Sequence, residues 1–327
     1  MRRASGVCTS VCILLALIPG KAAAGGLDEL AADGLYTWRV AAVDDAPAWC
    51  CYRWQSGTPT LRSCDLDSGN TGFSSDSDAP GATDEMQIYV ELDGGTPVSI
   101  RTLSTRCAVH SQRTIADLGP MDTGDSLDWL QQQYDSSSPA SSDALPAIAV
   151  HRGAAAARYL GELAAAAPSL ERRKEALFWI GQVRIDDMAA DLQHHMFKDP
   201  SAVIREHAAF AWSQSGASDR SEALIRQGRE DADAGVRAQA WFWLAQTGAA
   251  DSEKEIGFAI EHDRAVSEEA VFALSQLPGE RAVDALFTIL GNRNVSKKTR
   301  DQALFWLAQS DSERAYAYLD QLLASDP

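Results

Sequence analysis

Positive charge is scarce in this sequence. Lys and Arg number 29 against 46 Asp and Glu, a net of −17, and residues 25–142 hold 18 acids, 6 basic residues and no lysine. A phosphate backbone is gripped by a basic surface that displaces its counterions, so nucleic acid and anionic membrane surfaces are excluded as partners. A spanning hydrophobic run is lacking too: Val7 to Ile18 is about a dozen residues, where a membrane helix needs roughly 20. No Gly-x-Ser-x-Gly elbow, phosphate-cradling glycine loop or zinc-type spacing occurs, which leaves hydrolase and nucleotide chemistry without a signature. What is present is 327 residues, 45% of them hydrophobic, enough for about two domains with cores of their own.

The start of the chain reads as an address. Arg2 and Arg3, the apolar run, Pro19-Gly20 and Ala22-Ala23-Ala24 have the order of a secretory signal peptide over residues 1–24. Cleavage after Ala24 removes Arg2, Arg3 and Lys21 and no acid, taking the net charge from −17 to −20. The expected location is periplasmic or secreted, with no membrane insertion once the leader is gone. Cys12 lies inside the apolar run rather than after it, the wrong place for a lipid-modified cysteine. Cys8 and Cys12 leave with the leader. Cys50, Cys51, Cys64 and Cys107 remain, and in an exported chain they read as two disulfides. Adjacent residues of a strand point to opposite faces, so Cys50 and Cys51 each seek a partner in Cys64 or Cys107, with the pairing open. The alternative, a strained Cys50–Cys51 bridge, would be redox-active.

Residues 25–116 read as a small β-rich domain. Tyr36–Val40, Trp49–Trp54, Met86–Leu92 and Val98–Leu103 are its candidate strands, and Asp93-Gly94-Gly95 marks a tight hairpin. Asp65, Asp67 and Asp76 have offsets that resemble a calcium loop, but Asn70 stands where glycine is needed and Asp76 where a bidentate Glu is usual, so a solvated acidic loop is expected. Residues 117–143 then comprise a short helix near Ser126 to Tyr134 and a Ser/Asp-rich linker.

Residues 144–327 are governed by a repeat. EALFWIGQ at 175–182, HAAFAWSQ at 207–214, QAWFWLAQ at 239–246, EAVFALSQ at 269–276 and QALFWLAQ at 302–309 align without gaps. Gln182, Gln214, Gln246, Gln276 and Gln309 are spaced 32, 32, 30 and 33 residues apart. Phe178, Phe210, Phe242, Phe272 and Phe305 stand four positions before them, and Trp179, Ala211, Trp243, Ala273 and Trp306 alternate large and small three positions before. Nine before the Gln come Arg173, Arg205, Arg237, Ser267 and Arg300. Asp199, Asp231 and Asn294 precede three of these arginines by six and are placed to cap helices. Ser252 and Glu255 have the spacing of a capping box at the start of a second helix. The first helix of each unit is apolar around most of its girth, as Ala240-Trp241-Phe242-Trp243-Leu244 shows, so it must lie between neighbours. Core packing is therefore expected of the aromatic positions, with Trp212, Trp241 and Trp243 the ones nearest the surface. A buried role beside orphan carbonyls is expected of the glutamines.

This pattern resembles the HEAT-like repeats named after phycobilisome lyases. The resemblance implies an armadillo-type solenoid, an α-α superhelix of about five helical pairs, with residues 144–167 as a cap. The fold class expected is thus α+β: a disulfide-stapled β-rich domain, then an all-α HEAT-like solenoid. Relatives such as the deoxyhypusine hydroxylases hold two metal ions through His-Glu pairs. Here the matching positions read Lys174-Glu175, Glu206-His207, Ala238-Gln239, Glu268-Glu269 and Asp301-Gln302, with no such pair. His194-His195 and Glu261-His262 suit the ends of second helices, and His110 and His151 have no evident nucleophile beside them. No cofactor, metal or catalytic residue is assigned. The function expected is non-catalytic protein binding, in a groove where Asp186, Asp187, Asp191, Glu222, Glu253, Glu255 and Asp284 meet a basic or extended peptide. The alternative is an oxidoreductase, either metal-dependent by family analogy or thiol-based, or a lyase-like activity.

Overall fold

A computed structural model of the chain describes Leu27, Leu30 and residues 33–55, 58–68, 73–74 and 82–325. The leader at residues 1–24, and Asn70 and Asp76 of the calcium-like loop, lie outside the described residues.

The β-rich part is built on a four-stranded sheet in the order β7-β6-β1-β9, where β1 is Gly34–Ala46, β6 is Thr83–Asp93, β7 is Thr96–Ser104 and β9 is Ile115–Pro120. β1, β6 and β7 run antiparallel, and β9 joins β1 in parallel. β6 and β7 form the expected hairpin: Asp93 faces Thr96 across Gly94 and Gly95, both at positive φ (56° and 76°), where a side chain would clash with its own backbone. β9 was not among the expected strands, because it is a solvent-facing edge with no apolar alternation to reveal it.

Alternation across the sheet separates two layers. Trp38, Val40, Met86, Ile88, Val90 and Ile100 face the helices, whereas Leu35 and Leu103 face a small cluster with Cys51, Cys64 and Leu66. That cluster is closed by β2 (Cys50–Gln55), which pairs with β3 (Thr58–Arg62) and β5 (Phe73–Ser74), and by β4 (Cys64–Asp65) paired with β8 (Val109–His110). Two disulfides tie it together, Cys50–Cys107 and Cys51–Cys64, with Cα separations of 5.4 and 5.2 Å. Neighbouring cysteines on β2 thus diverge to different partners. Asp67 accepts hydrogen bonds from the Gln112 amide, the Ser111 hydroxyl and Arg113, and these hold its carboxyl below the ordinary range.

Thirteen helices follow among the described residues. α1 (Thr123–Asp135) is capped by Asp122, whose carboxylate accepts from the Gly124 amide at 2.8 Å, and buries Leu127, Trp129 and Leu130 against the sheet. Trp129 meets Trp38 edge to face at 5.6 Å. The Ser-rich stretch after α1 is not a free tether. Ala140 is wholly buried, Ser141–Asp143 form a 3₁₀ turn, and α2 (Ala144–Val150) buries nearly every residue. Composition concealed this, because one small apolar residue among serines leaves no periodic signal.

The β layer and the helical array share one core, running from Leu27 and Trp38 to Ala303 and Ala315. A chain of hydrogen bonds sits at the joint. Trp38 Nε1 donates to Ser126 Oγ (2.8 Å), Ser126 Oγ lies 2.9 Å from His151 Nε2, and His151 Nδ1 lies 2.6 Å from Ala147 O. The carbonyl only accepts, so Nδ1 carries the proton and Nε2 accepts from the serine. The imidazole is therefore neutral, and burial lowers its pKa to about 4. A hydroxyl does stand beside His151, contrary to expectation, but both groups are sealed from solvent. Arg184, also buried, donates to the carbonyls of Ala149 and His151 at the end of α2 and of Gly153 at the start of α3, tying the turn between the two helices.

The array consists of six helical pairs, not five. α2 with α3 (Ala154–Ala166) forms a full first tier where a cap was expected. Then come α4 (Leu170–Val183) with α5 (Ile185–Lys198), α6 (Ala202–Gln214) with α7 (Arg220–Glu230), and α8 (Ala234–Thr247) with α9 (Ser252–His262). α10 (Ser267–Ser275) with α11 (Glu280–Gly291) and α12 (Lys297–Ala308) with α13 (Glu313–Ser325) complete it. Each first helix packs on the first helix of the next tier and against a second helix. Approach is close where Gly181 of α4 meets the Ala211 carbonyl of α6 and where Gly228 of α7 meets Trp241 of α8: a Cβ at either glycine would lie 2.5 Å from its neighbour, and the Trp241 indole is 1% exposed. Trp212 is equally buried, so of the three tryptophans expected near the surface only Trp243 is there.

Asp199 and Asp231 do not cap helices as expected. They join tiers. Arg205 Nε and Nη2 donate to the two carboxylate oxygens of Asp231 at 2.8 and 2.9 Å, 26 residues ahead, while Nη1 donates to Asp199 O. Arg237 repeats this with Asp263 and Asp231 O, and Arg173 pairs with Asp199. Each carboxylate also accepts an amide of its own turn, from Ser201, Asp233 or Ala265. Burial raises the carboxyls of Asp199 and Asp231. His195, Ser201 and Arg173 around the first, and Arg205 around the second, more than offset this and hold both below the ordinary range. The ladder stops where Ser267 replaces arginine. The expected capping box is absent as well: the Ser252 hydroxyl donates to Leu244 O and Glu255 pairs with Arg229.

Two outcomes are expected from this frame. A histidine whose folded pKa is lowered from 6.5 to about 4 leaves stability at its full value above pH 6.5 and erodes it as pH falls toward 4. Denaturant melts should show a loss of about 3 kcal/mol over that window, reduced in His151→Gln. Asp231→Ala, which strands a nearly buried guanidinium, should cost about 2–4 kcal/mol. Asp301→Ala, which breaks an exposed pair with Lys297, should cost under about 0.5 kcal/mol in the same assay.

Candidate functional site

A helix that carries Phe four residues before Gln presents both on one side, one turn apart. Stacking the tiers lines these positions up. Nine rings form an unbroken run: Trp49, Trp179, Phe178, Phe210, Trp243, Phe242, Phe272, Trp306 and Phe305, with successive centroids 4.8 to 6.0 Å apart. Phe178 stacks on Phe210 and Phe242 on Phe272. Trp243 and Trp306 lie over Phe210 and Phe272 of the tiers before, whose next residues are the small Ala211 and Ala273. The large-small alternation thus has a two-tier period in space. Trp49 belongs to the buried core, and the rest of the run lies along the core's outer margin. Those from Phe178 to Trp306 are half-buried, and Phe305 is 52% exposed.

The glutamines depart from expectation. Gln182, Gln214, Gln246 and Gln309 are exposed and Gln276 is half-buried. Gln214 and Gln276 donate only to the hydroxyls of Ser213 and Ser275 beside them, at 3.1 and 3.0 Å, and no amide of the row reaches an orphan carbonyl. Sequence recurrence located the row but not its direction, because an amide suits a buried turn and a solvated face equally.

At its first tier the stripe runs into a cavity of about 570 Å³. β7 and the β1–β2 connection form one wall through Ile100, Thr102 and Trp49, and α4 forms the other through Phe178 and Trp179. Gln182 and Gln214 stand at its edge and Asp143 on its lip. Trp49 and Trp179 meet edge to face at 5.5 Å. Sequence reasoning missed this site, since Trp49, Thr102 and Asp143 belong to segments that share no periodicity with the repeats.

The acids expected on the second helices are divided. Asp187 pairs with Arg184, Glu253 with Arg281, Glu255 with Arg229 and Asp284 with Arg314. Asp186, Asp191 and Glu222 are exposed and free of ion pairs among the described residues. The carboxylates do not converge on one spot, because charge on a second helix is drawn to arginines of adjoining turns and tiers.

No family model matches the chain, and no curated protein matches it. Among solved structures it is similar to human deoxyhypusine hydroxylase in complex with glycerol, at 18% identity over 63% of this chain and 91% of that one, with a TM-score of 0.28. A likeness that low carries no argument about activity. Two of the residues at the starts of the first helices are engaged elsewhere. Glu175 accepts from Tyr134 (2.8 Å) and His207 packs its ring on Phe210. Among the described residues no three or more His, Cys, Asp or Glu side chains converge to hold a metal.

The exposure of the glutamines and the burial of Trp241 give opposite expectations for substitution. Gln214→Ala and Gln246→Ala should change stability by less than about 0.5 kcal/mol, whereas Trp241→Ala should lose roughly 3–5 kcal/mol, as measured by urea unfolding.

Proposed function

We propose that this chain is an exported, non-catalytic scaffold whose HEAT-like stack binds an extended stretch of polypeptide along the first-helix face. The observation that carries this reading is the unbroken aromatic run with one amide beside it in each tier from the second to the sixth. Packed helices stand about 8–10 Å apart, which is about three residues of extended chain at roughly 3.3 Å each. A primary amide both donates and accepts, as a main-chain peptide unit does, so a row of them at that spacing meets a strand's backbone whatever its sequence. Half-buried rings beside the row offer apolar contact to its side chains. A net charge of −17 favours basic segments and speeds their encounter.

Export rests on the leader, and it accords with two disulfides and with the lack of any described helix long and apolar enough to cross a membrane. Asp186, Asp191 and Glu222 on the second helices add long-range attraction rather than a binding groove.

Binding of unstructured basic peptides, followed by fluorescence anisotropy at low and moderate salt, tests which face is used. Phe210→Ala with Gln246→Ala should weaken binding about tenfold or more, while Asp186→Asn with Asp191→Asn and Glu222→Gln should stay within about threefold at moderate salt. The reverse ranking would move the site to the second helices, and no binding at either salt would refute the scaffold.

A further inference from the structure

The corner cavity where the sheet meets α4 is a built site with unmet chemistry. Its volume, about 570 Å³, suits a side chain or two and is far too small for a folded partner. Two indoles, Trp49 and Trp179, stand at 5.5 Å in an edge-to-face corner. Thr102 lines the same cavity, is 3% exposed, and its hydroxyl has no hydrogen-bond partner. A buried hydroxyl without a partner is unfavourable, so the space in front of it calls for a polar group. Asp143 adds a carboxylate at the lip. That carboxylate accepts the Ile100 amide and feels the charge of Arg101, but Arg101 spends its own hydrogen bonds on Asp65 O and Ser68 O at 2.9 and 2.7 Å, so Asp143 has no direct ion pair among the described residues.

Each ligand class can be weighed against these groups. An apolar group would satisfy the indoles and leave the Thr102 hydroxyl without a partner. An anion would face Asp143 and a strongly acidic chain. A cation on an aliphatic stem meets every feature: the stem lies on the rings, the charge sits near their faces and pairs with the carboxylate, and the threonine hydroxyl accepts an N–H hydrogen bond.

We propose that this cavity is the anchoring pocket for one cationic side chain, Lys or Arg, of the polypeptide that runs along the glutamine row. The inference rests on the scaffold reading, and it sets the register: Gln182 and Gln214 at the cavity's edge take the backbone next to the anchored residue. Crowding by the surrounding protein holds the Asp143 carboxyl above its ordinary range, a penalty that an incoming cation relieves.

The test uses the full chain and short peptides of Ala, Ser and Thr carrying Arg, Lys, norleucine or Glu at the centre, read by fluorescence anisotropy. Arg and Lys peptides should bind about tenfold tighter than norleucine, and Glu weakest. Asp143→Asn should bring Arg and Lys to the norleucine level and leave norleucine unchanged. Thr102→Val should narrow the same gap, while Gln246→Ala, away from the cavity, should weaken all four alike. Circular dichroism confirms that each variant is folded. Equal binding of norleucine and Arg, or a preference that survives Asp143→Asn, overturns the pocket while leaving the scaffold intact. Absence of binding by all four overturns both.

Discussion

Everything in this structure depends on the drying of one row of helices by its neighbours. A first helix such as α8 is apolar on nearly all sides, so neither its own second helix nor solvent can cover it, and only a tier above and a tier below will do. Ala208, Ala240, Ala270 and Ala303 are all wholly buried at the contacts between tiers, where small side chains let backbones approach. The arginine-aspartate ladder follows from that approach. It links turns 26 residues apart because stacking has already brought them together, and it satisfies turn carbonyls that would otherwise be orphaned.

The same constraint explains why the β layer is joined to the array and does not hang from a linker. The first tier has no further helical pair on its outer side. The sheet face carrying Trp38, Met86 and Ile88, with α1, supplies the missing cover, and the Trp38–Ser126–His151 chain satisfies the polar groups that this cover buries. A corner between two layers at different angles leaves space unfilled. That space is the cavity lined by Trp49 and Trp179, so the candidate site is a by-product of how the array is capped.

Much of this was legible from the residues. Recurrence of Phe and Gln near every 32nd position specified helical pairs and their stacking, because only a repeated environment tolerates a repeated apolar helix. The Asp93-Gly94-Gly95 turn and the divergence of Cys50 from Cys51 were legible for local steric reasons. The direction of the glutamines was not. A helix end offers both a buried and an exposed side within about 100° of rotation, and a residue type that suits either carries no information about which. The aspartates were misjudged for a related reason: Asp199 and Asp231 sit at a helix junction in sequence, and only the neighbouring tier shows that an arginine is waiting there.

By itself the sequence determined the class of fold, the number of recurring tiers, the export-compatible cysteine pattern and the acidic surface, since each rests on composition or on contacts between residues close along the chain. Tertiary structure alone decided the extra first tier, the sealed Ser126–His151 contact, the exposed amide row and the corner cavity. The cavity joins Trp49, Thr102, Asp143 and Trp179 from segments with unrelated local patterns, and they meet only because the sheet covers the open end of the helical stack.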